Sequence, residues 1–288
     1  MTVSICIFAY NEEKLLPSSV AAIPAAVGHD DYRIHIVENG SKDETARIAR
    51  MLSAADDKIT VHELSIADKA NAWNEYVFRI APQAQFHIFL DGDIKPSVGS
   101  INALCNALAE NNTAYGAAAM PVAGRSQRKW ATQLLTNHYI SGNLYAISSA
   151  GIERFRETQT YLPFGAKGED GLVSYIFLTD FQGGEDDTHL HRIVPVADAT
   201  FEFDSLSLNF DDLSLYHRRL KRYSERHVQK QILYGILKKH GLSAMPKSTS
   251  DIFSLEALAD QSPRLHPIDF IYDMVTINRL RKSAQSKL

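Results

Sequence analysis

The sequence predicts an α/β protein: a doubly wound, mostly parallel sheet flanked by helices, followed by a helical C-terminal extension. Short apolar runs rich in branched residues alternate with amphipathic helical patterns through the first third of the chain. Polar residues follow each apolar run directly. A long basic stretch of helical pattern then begins near residue 211.

The apolar runs of the first third are interpreted as buried strands, because each is short and ends in turn-forming or polar residues. In a doubly wound sheet, ligands bind at the carboxyl ends of the strands. The polar residues after these strands are therefore expected to cluster at one edge of the sheet. The predicted strands cover residues 3–9, 33–37, 58–64 and 85–90.

Helical patterns fill the spaces between these strands. Ser41 is predicted to begin a helix with Glu44 as the partner in a capping box. Asp68 is predicted to cap a helix that carries Trp73, and Val98 belongs to the pattern of the next helix. Beyond residue 112 the alternation loosens. The further predictions are strands at 114–122 and 192–203 and helices at 129–149 (interrupted at 141–143), 169–181, 211–240 and 266–282.

Composition limits the classes of function. The chain has 288 residues, 45% of them hydrophobic, which is enough for a packed core. A net charge of −4 argues against a nucleic-acid-binding protein. Cys6 and Cys105 lie in apolar stretches and are expected to be buried thiols in a reducing, cytoplasmic setting. Neither a signal peptide nor a membrane span is expected.

Asp91-Gly92-Asp93 follows the fourth predicted strand. Two carboxylates one residue apart can share a hard divalent cation, which would neutralise the charge of a diphosphate. The tripeptide also fits an ordinary turn. Its position directly after a buried apolar run favours the metal site, because an acidic pair there needs a partner.

Three other patterns carry candidate chemistry, and each also fits an ordinary helix start. Lys69 lies in the first turn of a predicted helix, where it can contact a diphosphate or be a solvated lysine. Residues 9–13 follow the first strand and can line a nucleotide pocket. Glu169 and Asp170 follow glycines and open a helix, and a carboxylate there can act as a general base.

Taken together, the motifs resemble those of the family 2 glycosyltransferases of the GT-A fold. The resemblance covers about residues 3–180, and the order and spacing of the motifs are more specific than any one of them. The matching segments are FAYNEEKLL, VENGSKDET, DKANAWNEYV, FLDGD and GEDGLVSYIF.

The resemblance implies a metal-dependent, inverting transfer of a sugar from a nucleotide-sugar donor, with a UDP-sugar the expected donor class. Asp91 and Asp93 match the pair that binds Mn²⁺ or Mg²⁺, with Asp93 the direct ligand. Asp170 matches the catalytic base and Glu169 the acid beside it. Asn39 stands where the family frequently has a second aspartate. The implied donor-binding residues are Ala9, Tyr10, Asn11, Glu12, Glu38, Asn39, Lys69, Asn74, Asp91 and Gly92.

The resemblance also implies a division of the chain. Residues 1–210 are expected to form the catalytic domain, with a nucleotide-sugar-binding half (1–110) and an acceptor-side half (111–210). Residues 211–288 form the helical extension. The acceptor is expected to be a glycan or a lipid-linked molecule.

The C-terminal part departs from the pattern of processive family members, which carry Gln-x-x-Arg-Trp after the catalytic acid. Residues 216–223 are basic and aromatic but lack that motif, so a non-processive enzyme is expected. Two roles are open for the arginines of this segment, contact with the diphosphate or a solvated helix face. These arginines are Arg218, Arg219 and Arg222. A late histidine serves some GT-A enzymes as a metal ligand. The candidates here are His189, His191 and His217, which can equally be surface residues.

The sequence also allows two other functions and a contact with the membrane surface. One alternative is a nucleotidyltransferase of sugar phosphates, which would require a Gly-rich basic loop after the first strand. The other is a catalytically inactive binding subunit. The basic stretch at 217–239 is interpreted as a helix packed on the catalytic domain. The alternative is docking of the C-terminal helices on the inner face of an anionic membrane.

Overall fold

The structure, a computed structural model, describes residues 2–123, 127–185, 188–203 and 210–286, without the side chains of 210–215. Strands in this part of the chain form one sheet. They are β1 (Val3–Ala9), β2 (Tyr32–Asn39), β3 (Ile59–Leu64), β4 (Phe86–Asp91), β5 (Ile94–Pro96), β6 (Gly116–Pro121), β7 (Leu144–Ser148) and β8 (Ile193–Phe203). Their order is β3-β2-β1-β4-β7-β6-β8-β5.

Helices cover both faces of this sheet, and a π-helical turn at Tyr76–Ile80 extends the third helix. The helices are α1 (Leu16–Val27), α2 (Thr45–Ala55), α3 (Lys69–Glu75), α4 (Ser100–Glu110), α5 (Gln127–Asn137), α6 (Ser149–Thr158), α7 (Glu169–Leu178), α8 (Phe210–His240), α9 (Leu255–Ala259) and α10 (Pro267–Gln285).

The burial pattern of β1 explains why the sheet is covered on both sides. All seven residues of this strand are buried. Ile5 and Ile7 point into the core shared with α1 and α4, whereas Cys6 and Phe8 point into the core shared with α3 and α7. A strand buried on both faces reads as a continuous apolar run, which is what the sequence has. The predicted fold class is confirmed.

Strand register brings the carboxyl ends of the central strands together. β1 pairs in parallel with β2 and β4, placing Ala9 opposite Glu38 and Phe8 opposite Asp91. β4–β7, β6–β7 and β5–β8 are antiparallel, and the remaining pairs are parallel. The residues that follow β1, β2 and β4 therefore lie at one edge of the sheet.

Several boundaries differ from the sequence-based expectation. Residues 144–148, predicted as part of a helix, form β7, because pairing with both β4 and β6 outweighs their local preference. The predicted start of α2 at Ser41 is wrong: Thr45 begins the helix, Glu44 makes no side-chain capping bond, and the Ser41 hydroxyl accepts the Asn11 N–H. Val98 lies outside α4 and is 84% exposed. Strand β5 was not predicted.

The basic helix α8 packs on the α/β part of the chain, in agreement with the interpretation of its sequence as a packed helix. Val228, Ile232, Leu233 and Leu237 are buried in the core that also holds α7. α10 packs against α8 in turn. The predicted domain boundary at residue 210 adjoins residues 204–209, which lie outside the described part, and the division into domains stays a prediction.

A buried histidine makes the stability of the sheet depend on pH. His87 on β4 is 2% exposed, and its Nδ1 lies 3.1 Å from the Tyr76 hydroxyl. Burial, together with the nearby charges of Arg156 and His35, lowers the pKa of His87 to about 4. The folded state therefore favours neutral His87. Its stabilising effect is complete above the unfolded pKa of about 6.5 and is lost as the pH falls toward 4.

We expect this residue to make the protein about 2 kcal/mol less stable at pH 5 than at pH 7. Urea unfolding at the two pH values measures the difference. His87→Asn should reduce the pH dependence relative to the parent chain, whereas exposed His240→Asn should leave it unchanged. An identical dependence in the parent and in His87→Asn would contradict the assignment.

Candidate active site

Three carboxylates occupy the edge of the sheet where β1 and β4 end. Asp91 is the last residue of β4, Asp93 follows it by two positions, and Glu12 lies in the loop after β1. Burial raises the pKa of Asp91 to about 7; Lys69 opposes the rise, and Asp93 and Glu169 add to it. Burial also raises the pKa of Glu12 to about 8, and the charges of Asp93 and Asp91 add to this rise. The negative charges of these carboxylates therefore repel one another.

Lys69 links this cluster to α7. Its Nζ lies 2.5 Å from Asp91 Oδ1 and 2.7 Å from Glu169 Oε1. Burial opposes the charge of the ammonium, but the two carboxylates raise the pKa of Lys69 well above its usual value. Lys69 is the first residue of α3, and its position depends on Asp68, whose carboxylate accepts the Asn71 N–H at 2.7 Å as the helix cap.

Asp68 also fixes the loop that carries the predicted catalytic acids. Its second carboxylate oxygen accepts the Gly165 N–H at 2.8 Å, which ties the start of α3 to the segment before α7. Asp68 therefore caps α3 and also contacts the loop before α7.

Asp170, the predicted base, is held from two sides. Its Oδ2 accepts the Gly142 N–H at 3.2 Å, and its Oδ1 lies 3.1 Å from Arg226 Nη2 on α8. The carboxylate of Asp170 raises the pKa of Arg226, which keeps the guanidinium charged. A Cβ at Gly168 would overlap this guanidinium, so a glycine is required for the contact.

The loop after β1 is anchored to the start of α2. Asn11, with a φ of 56°, accepts the Lys42 N–H through Oδ1 at 2.8 Å. The Glu12 N–H donates to Thr45 Oγ1 at 2.7 Å. Tyr10 between the strand and this anchor is 42% exposed. These bonds hold Glu12 at the edge of the sheet, with the exposed Tyr10 two residues before it.

Glu38 and Asn39 end β2 at the same edge and are nearly buried. Glu38 Oε1 accepts the Ser41 N–H at 2.6 Å, and Asn39 Oδ1 accepts the Asp68 N–H at 3.1 Å. The Gly92 N–H donates to the Phe8 carbonyl at 2.9 Å, which holds the acidic turn against the end of β1. These residues shape the floor of the site around Ala9, which is fully buried.

Asn74, predicted to bind the donor, instead has its amide against the main chain of Leu162. Its Nδ2 donates to the Leu162 carbonyl at 2.8 Å and its Oδ1 accepts the Leu162 N–H at 3.0 Å. This pair of bonds positions the segment before α7. Direct contact of Asn74 with a donor stays a prediction.

The candidate histidines are not brought to the acidic cluster. The main-chain N–H of His189 donates to the Leu178 carbonyl at the end of α7. This end of the helix lies about 12 Å along the helix axis from Asp170. The His189 ring packs against the His191 ring. The His217 ring contacts the Tyr272 hydroxyl between α8 and α10. Their role as metal ligands stays a prediction without support from these contacts.

The three carboxylates are chemically suited to bind a hard divalent cation. Asp91, Asp93 and Glu12 offer the oxygen ligands that Mg²⁺ and Mn²⁺ prefer, and their mutual repulsion would fall if a cation bound. Across the described residues, no group of three or more His, Cys, Asp or Glu side chains is arranged as a complete metal site. Lys69 already occupies one oxygen of Asp91.

Sequence reasoning missed Arg226 and the Gly142 N–H, the two groups that hold Asp170. Arg226 lies seven residues after Arg219, and Arg219 is close enough for its charge to lower the pKa of Glu12 against the rise caused by burial. A spacing of seven places two residues on the same face of a helix. The spacing of the basic residues on α8 therefore indicates that Arg226 lies on the same helix face as Arg219, which the sequence analysis had named.

Comparisons with known proteins identify a family and a shared fold. The model of the family described as "Glycosyl transferase family 2" matches residues 4–164, so Asp170 and Arg226 lie beyond the match. None of the curated protein sequences matches the chain.

Three solved structures share the fold. A mannosyltransferase from Pyrobaculum calidifontis, in complex with GDP-Man and Mn²⁺, is 17% identical with a TM-score of 0.60 and covers 99% of this chain and 86% of its own. S. aureus TarS 1–349, with UDP-GlcNAc, is 14% identical with a TM-score of 0.53, covering 100% and 91%. Glucosyl-3-phosphoglycerate synthase from Mycobacterium tuberculosis, with Mn²⁺ and UDP-Glc, is 19% identical with a TM-score of 0.51, covering 78% of each chain.

The family match spans more than half of the chain and includes the acidic turn at 91–93. The same residues build the edge of the sheet at which the carboxylates meet. The three solved structures share the fold of this chain. The chain belongs to family 2 of the glycosyltransferases.

Proposed function

We propose that this protein is an inverting, metal-dependent glycosyltransferase. It moves a sugar from a nucleotide-sugar donor to a hydroxyl of a glycan or lipid-linked acceptor, and it is non-processive. The observation that carries the proposal is the Asp91–Lys69–Glu169 bridge, which joins the candidate metal-binding turn to the helix whose next residue is the candidate base. The bridge supports a site in which the acidic turn lies beside the first turn of α7.

Asp170 is the proposed base. A carboxylate held by the Gly142 N–H and Arg226 has a fixed orientation, which is what removal of a proton from an acceptor hydroxyl requires. The hydroxyl oxygen then attacks the anomeric carbon opposite the diphosphate, and the configuration inverts. Glu169 stays paired with Lys69 and orients the first turn of α7.

Asp91 and Asp93 are the proposed ligands of Mn²⁺ or Mg²⁺. The bound cation would stabilise the negative charge of the departing nucleoside diphosphate. The solved structures with Mn²⁺ support a divalent metal in this fold. Ala9, Tyr10, Asn11, Glu12, Glu38, Asn39 and Gly92 form the proposed donor side, with Tyr10 as the exposed ring beside the carboxylates.

A UDP-sugar is the proposed donor class. The solved structures carry UDP-GlcNAc, UDP-Glc and GDP-Man, so the fold accepts more than one nucleotide. A thermal-shift series with UDP, GDP, CDP and dTDP, each with Mn²⁺, tests the choice. We expect the largest increase in melting temperature with UDP. A larger increase with another nucleotide would replace the donor class without affecting the proposed chemistry.

The two rival functions make different predictions. A nucleotidyltransferase would bind a triphosphate in a Gly-rich basic loop after β1. Here residues 10–13 read Tyr-Asn-Glu-Glu, and their main chain is tied to α2. An inactive binding subunit would not hydrolyse the donor. Mn²⁺-dependent release of the nucleoside diphosphate from the nucleotide sugar that the thermal-shift series selects supports the proposed transferase, whereas metal-independent release or none at all contradicts it.

We also propose that the C-terminal helices contact an anionic phospholipid surface. None of the described helices is long and apolar enough to cross a bilayer. The outward face of the first half of α10 is nevertheless apolar, and the buried face carries Asp273 and Thr276 as well as Ile277 and Leu280. Large side chains exposed on and just before α10 are Leu265, Ile268, Phe270, Ile271, Met274 and Val275.

Basic side chains lie next to this apolar face. Arg218, Lys221 and Arg222 are exposed on α8, close to the turn where His217 meets Tyr272 of α10. An apolar helix face bordered by cations is the composition that binds anionic bilayers from the surface.

Sedimentation with phosphatidylglycerol-containing vesicles tests the membrane contact. We expect the parent chain to sediment with these vesicles and not with phosphatidylcholine alone. Ile271→Glu should lower the bound fraction, while Val98→Glu, a matched change at an exposed apolar residue elsewhere, should not. Self-association without vesicle binding would contradict the proposal and assign the face to a second copy.

A further inference from the structure

Lys69 is enclosed by acceptors within the candidate site. Its Nζ lies 2.5 Å from Asp91 Oδ1, 2.7 Å from Glu169 Oε1 and 3.4 Å from the carbonyl oxygen of Gly142. These acceptors come from the end of β4, the start of α7 and the segment before β7. An ammonium has three N–H donors, so each donor of Lys69 has an acceptor inside the protein. The ammonium is therefore a fixed part of the acidic edge of the sheet.

The main chain on both sides of Lys69 is fixed by other contacts. The Asp91 N–H donates to the Asn143 carbonyl at 3.0 Å, and the strand that Asp91 ends is paired on both sides. The start of α3 is capped by Asp68, which also accepts the Gly165 N–H of the loop before α7. Replacing the Lys69 side chain is therefore expected to change the charge at Asp91 more than the position of its strand.

A divalent cation bound by Asp91 would share this carboxylate with the ammonium of Lys69. Two positive charges on one carboxylate repel each other, and the repulsion is stronger at a site partly removed from water. Glu169 is 7% exposed and holds the ammonium from the other side. Lys69 therefore opposes cation binding at the acidic turn, although the carboxylates of Asp91 and Asp93 are suited to it.

The positive charge of Lys69 distinguishes it from the usual partner of a metal ligand. Such partners are commonly carboxylates, carbonyls or waters that orient the ligand, and their loss weakens metal binding about 10–100-fold. An ammonium brings a full positive charge to the same position. Loss of Lys69 should therefore strengthen the binding of a cation, whereas loss of an orienting partner would weaken it.

A nucleoside diphosphate can relieve the competition between Lys69 and a cation for Asp91. Its phosphate oxygens complete the coordination of a metal ion that a protein holds through only one or two carboxylates. The same oxygens are anionic partners for a lysine, which binds phosphate as a point charge. The diphosphate thus favours the separation of Lys69 from Asp91.

We infer that Lys69 keeps the affinity of the acidic turn for a divalent cation low in the free protein and thereby makes metal binding depend on the nucleotide. The ammonium holds Asp91 until the diphosphate provides another anion for it and further ligands for the metal. Metal and nucleotide then bind cooperatively, each raising the affinity of the protein for the other. The inference rests on the proposed function, because it assumes that Asp91 and Asp93 bind the metal.

Binding of Mn²⁺ to the full chain without nucleotide tests the inference. The electron paramagnetic resonance signal of free Mn²⁺ gives the unbound concentration in each titration. We expect Lys69→Met to bind Mn²⁺ about tenfold more tightly than the parent chain, because a unit positive charge is removed from beside the cation. Lys69→Arg, which keeps the charge, should bind Mn²⁺ as weakly as the parent chain does.

Lys58→Met is the matched control. Lys58 lies before β3 at the opposite edge of the sheet, with its Nζ 2.9 Å from Asp30 and a side chain that is 23% exposed, against 28% for Lys69. This variant should bind Mn²⁺ as the parent chain does. Lys69→Gln replaces Lys69→Met if a thermal melt shows that variant to be unfolded, because the neutral amide keeps N–H donors for Asp91 and Glu169.

The nucleotide gives a second readout. The titrations are repeated with the nucleoside diphosphate that the thermal-shift series selects, beside a protein-free sample that measures its own complex with Mn²⁺. The ratio of the Mn²⁺ dissociation constants without and with nucleotide measures the coupling. We expect this ratio to be several-fold smaller in Lys69→Met than in the parent chain.

Three outcomes would overturn the inference: Mn²⁺ binding that is unchanged or weaker in the neutral Lys69 variants, equal tightening in Lys58→Met, or an unchanged ratio. Weaker binding would make Lys69 an orienting partner of Asp91 instead. Asp93→Ala is titrated in parallel. If it abolishes Mn²⁺ binding that the neutral Lys69 variants do not strengthen, the proposed metal site stands and the inference alone fails. No Mn²⁺ binding by any of these chains, with or without nucleotide, would contradict both.

Discussion

Replacing Asp93 with alanine is expected to abolish metal-dependent donor binding. Asp93 follows Asp91 by two residues at the end of β4, and its charge raises the pKa of both Asp91 and Glu12 beyond the effect of burial. Without Asp93, a cation would lose the ligand that Lys69 does not engage, because Lys69 pairs with Asp91. Calorimetric titration with UDP in the presence of Mn²⁺ measures the change, and we expect affinity to fall by about a hundredfold or more.

The control for Asp93→Ala is Asp57→Ala, which removes an exposed carboxylate away from the cleft. It should bind UDP and Mn²⁺ as the parent chain does. A thermal melt without ligands checks that Asp93→Ala is folded; we expect it to be at least as stable, because one of three repelling carboxylates is gone. Unchanged UDP affinity in folded Asp93→Ala, with Mn²⁺ present, would remove Asp93 from the metal site.

Asp170→Asn should keep donor binding and lose transfer. The amide is nearly isosteric and can still accept the Gly142 N–H, but it cannot take a proton from the acceptor. General-base catalysis contributes about 10²–10⁴-fold, so turnover should fall by that factor while UDP affinity stays within about threefold. The measurement is the initial rate of sugar transfer beside a UDP titration of the same sample.

Asp198→Asn, at an exposed position on β8, is the matched control and should transfer at the parent rate. Near-normal turnover in Asp170→Asn would exclude Asp170 as the base. Loss of UDP binding in the same variant would point to a structural role instead, because the Arg226 guanidinium would then have lost its charged partner.

The first half of the fold could be predicted from the sequence because its signals are local. The VSICIFA run is long enough and apolar enough to predict a strand buried on both faces, and the structure has β1 at those residues. The same holds for Phe86–Asp91, whose last residue begins the acidic turn. The carboxyl ends of parallel strands lie at one edge of a sheet. The sequence alone therefore predicted that Asn11, Glu38 and Asp91 lie close together.

Other features of the fold could be known only from the tertiary structure. Residues 144–148 carry a helical pattern by sequence, yet they pair with β4 on one side and β6 on the other. The capping box at Ser41 was plausible locally, but the Ser41 hydroxyl accepts the N–H of Asn11, thirty residues away in sequence. Local preference is worth a few tenths of a kcal/mol per residue and yields to such contacts.

The sequence by itself determined the four parallel strands β1 to β4, the edge at which their carboxyl ends meet, the acidic turn and the helix that begins with Glu169 and Asp170. Only the tertiary structure decided which charges meet: Lys69 between Asp91 and Glu169, and Arg226 on Asp170. The physical reason is that strand and helix patterns depend on neighbours in the chain. A bridge between residues 69 and 169 depends instead on where packing brings two distant helix starts, which no local pattern records.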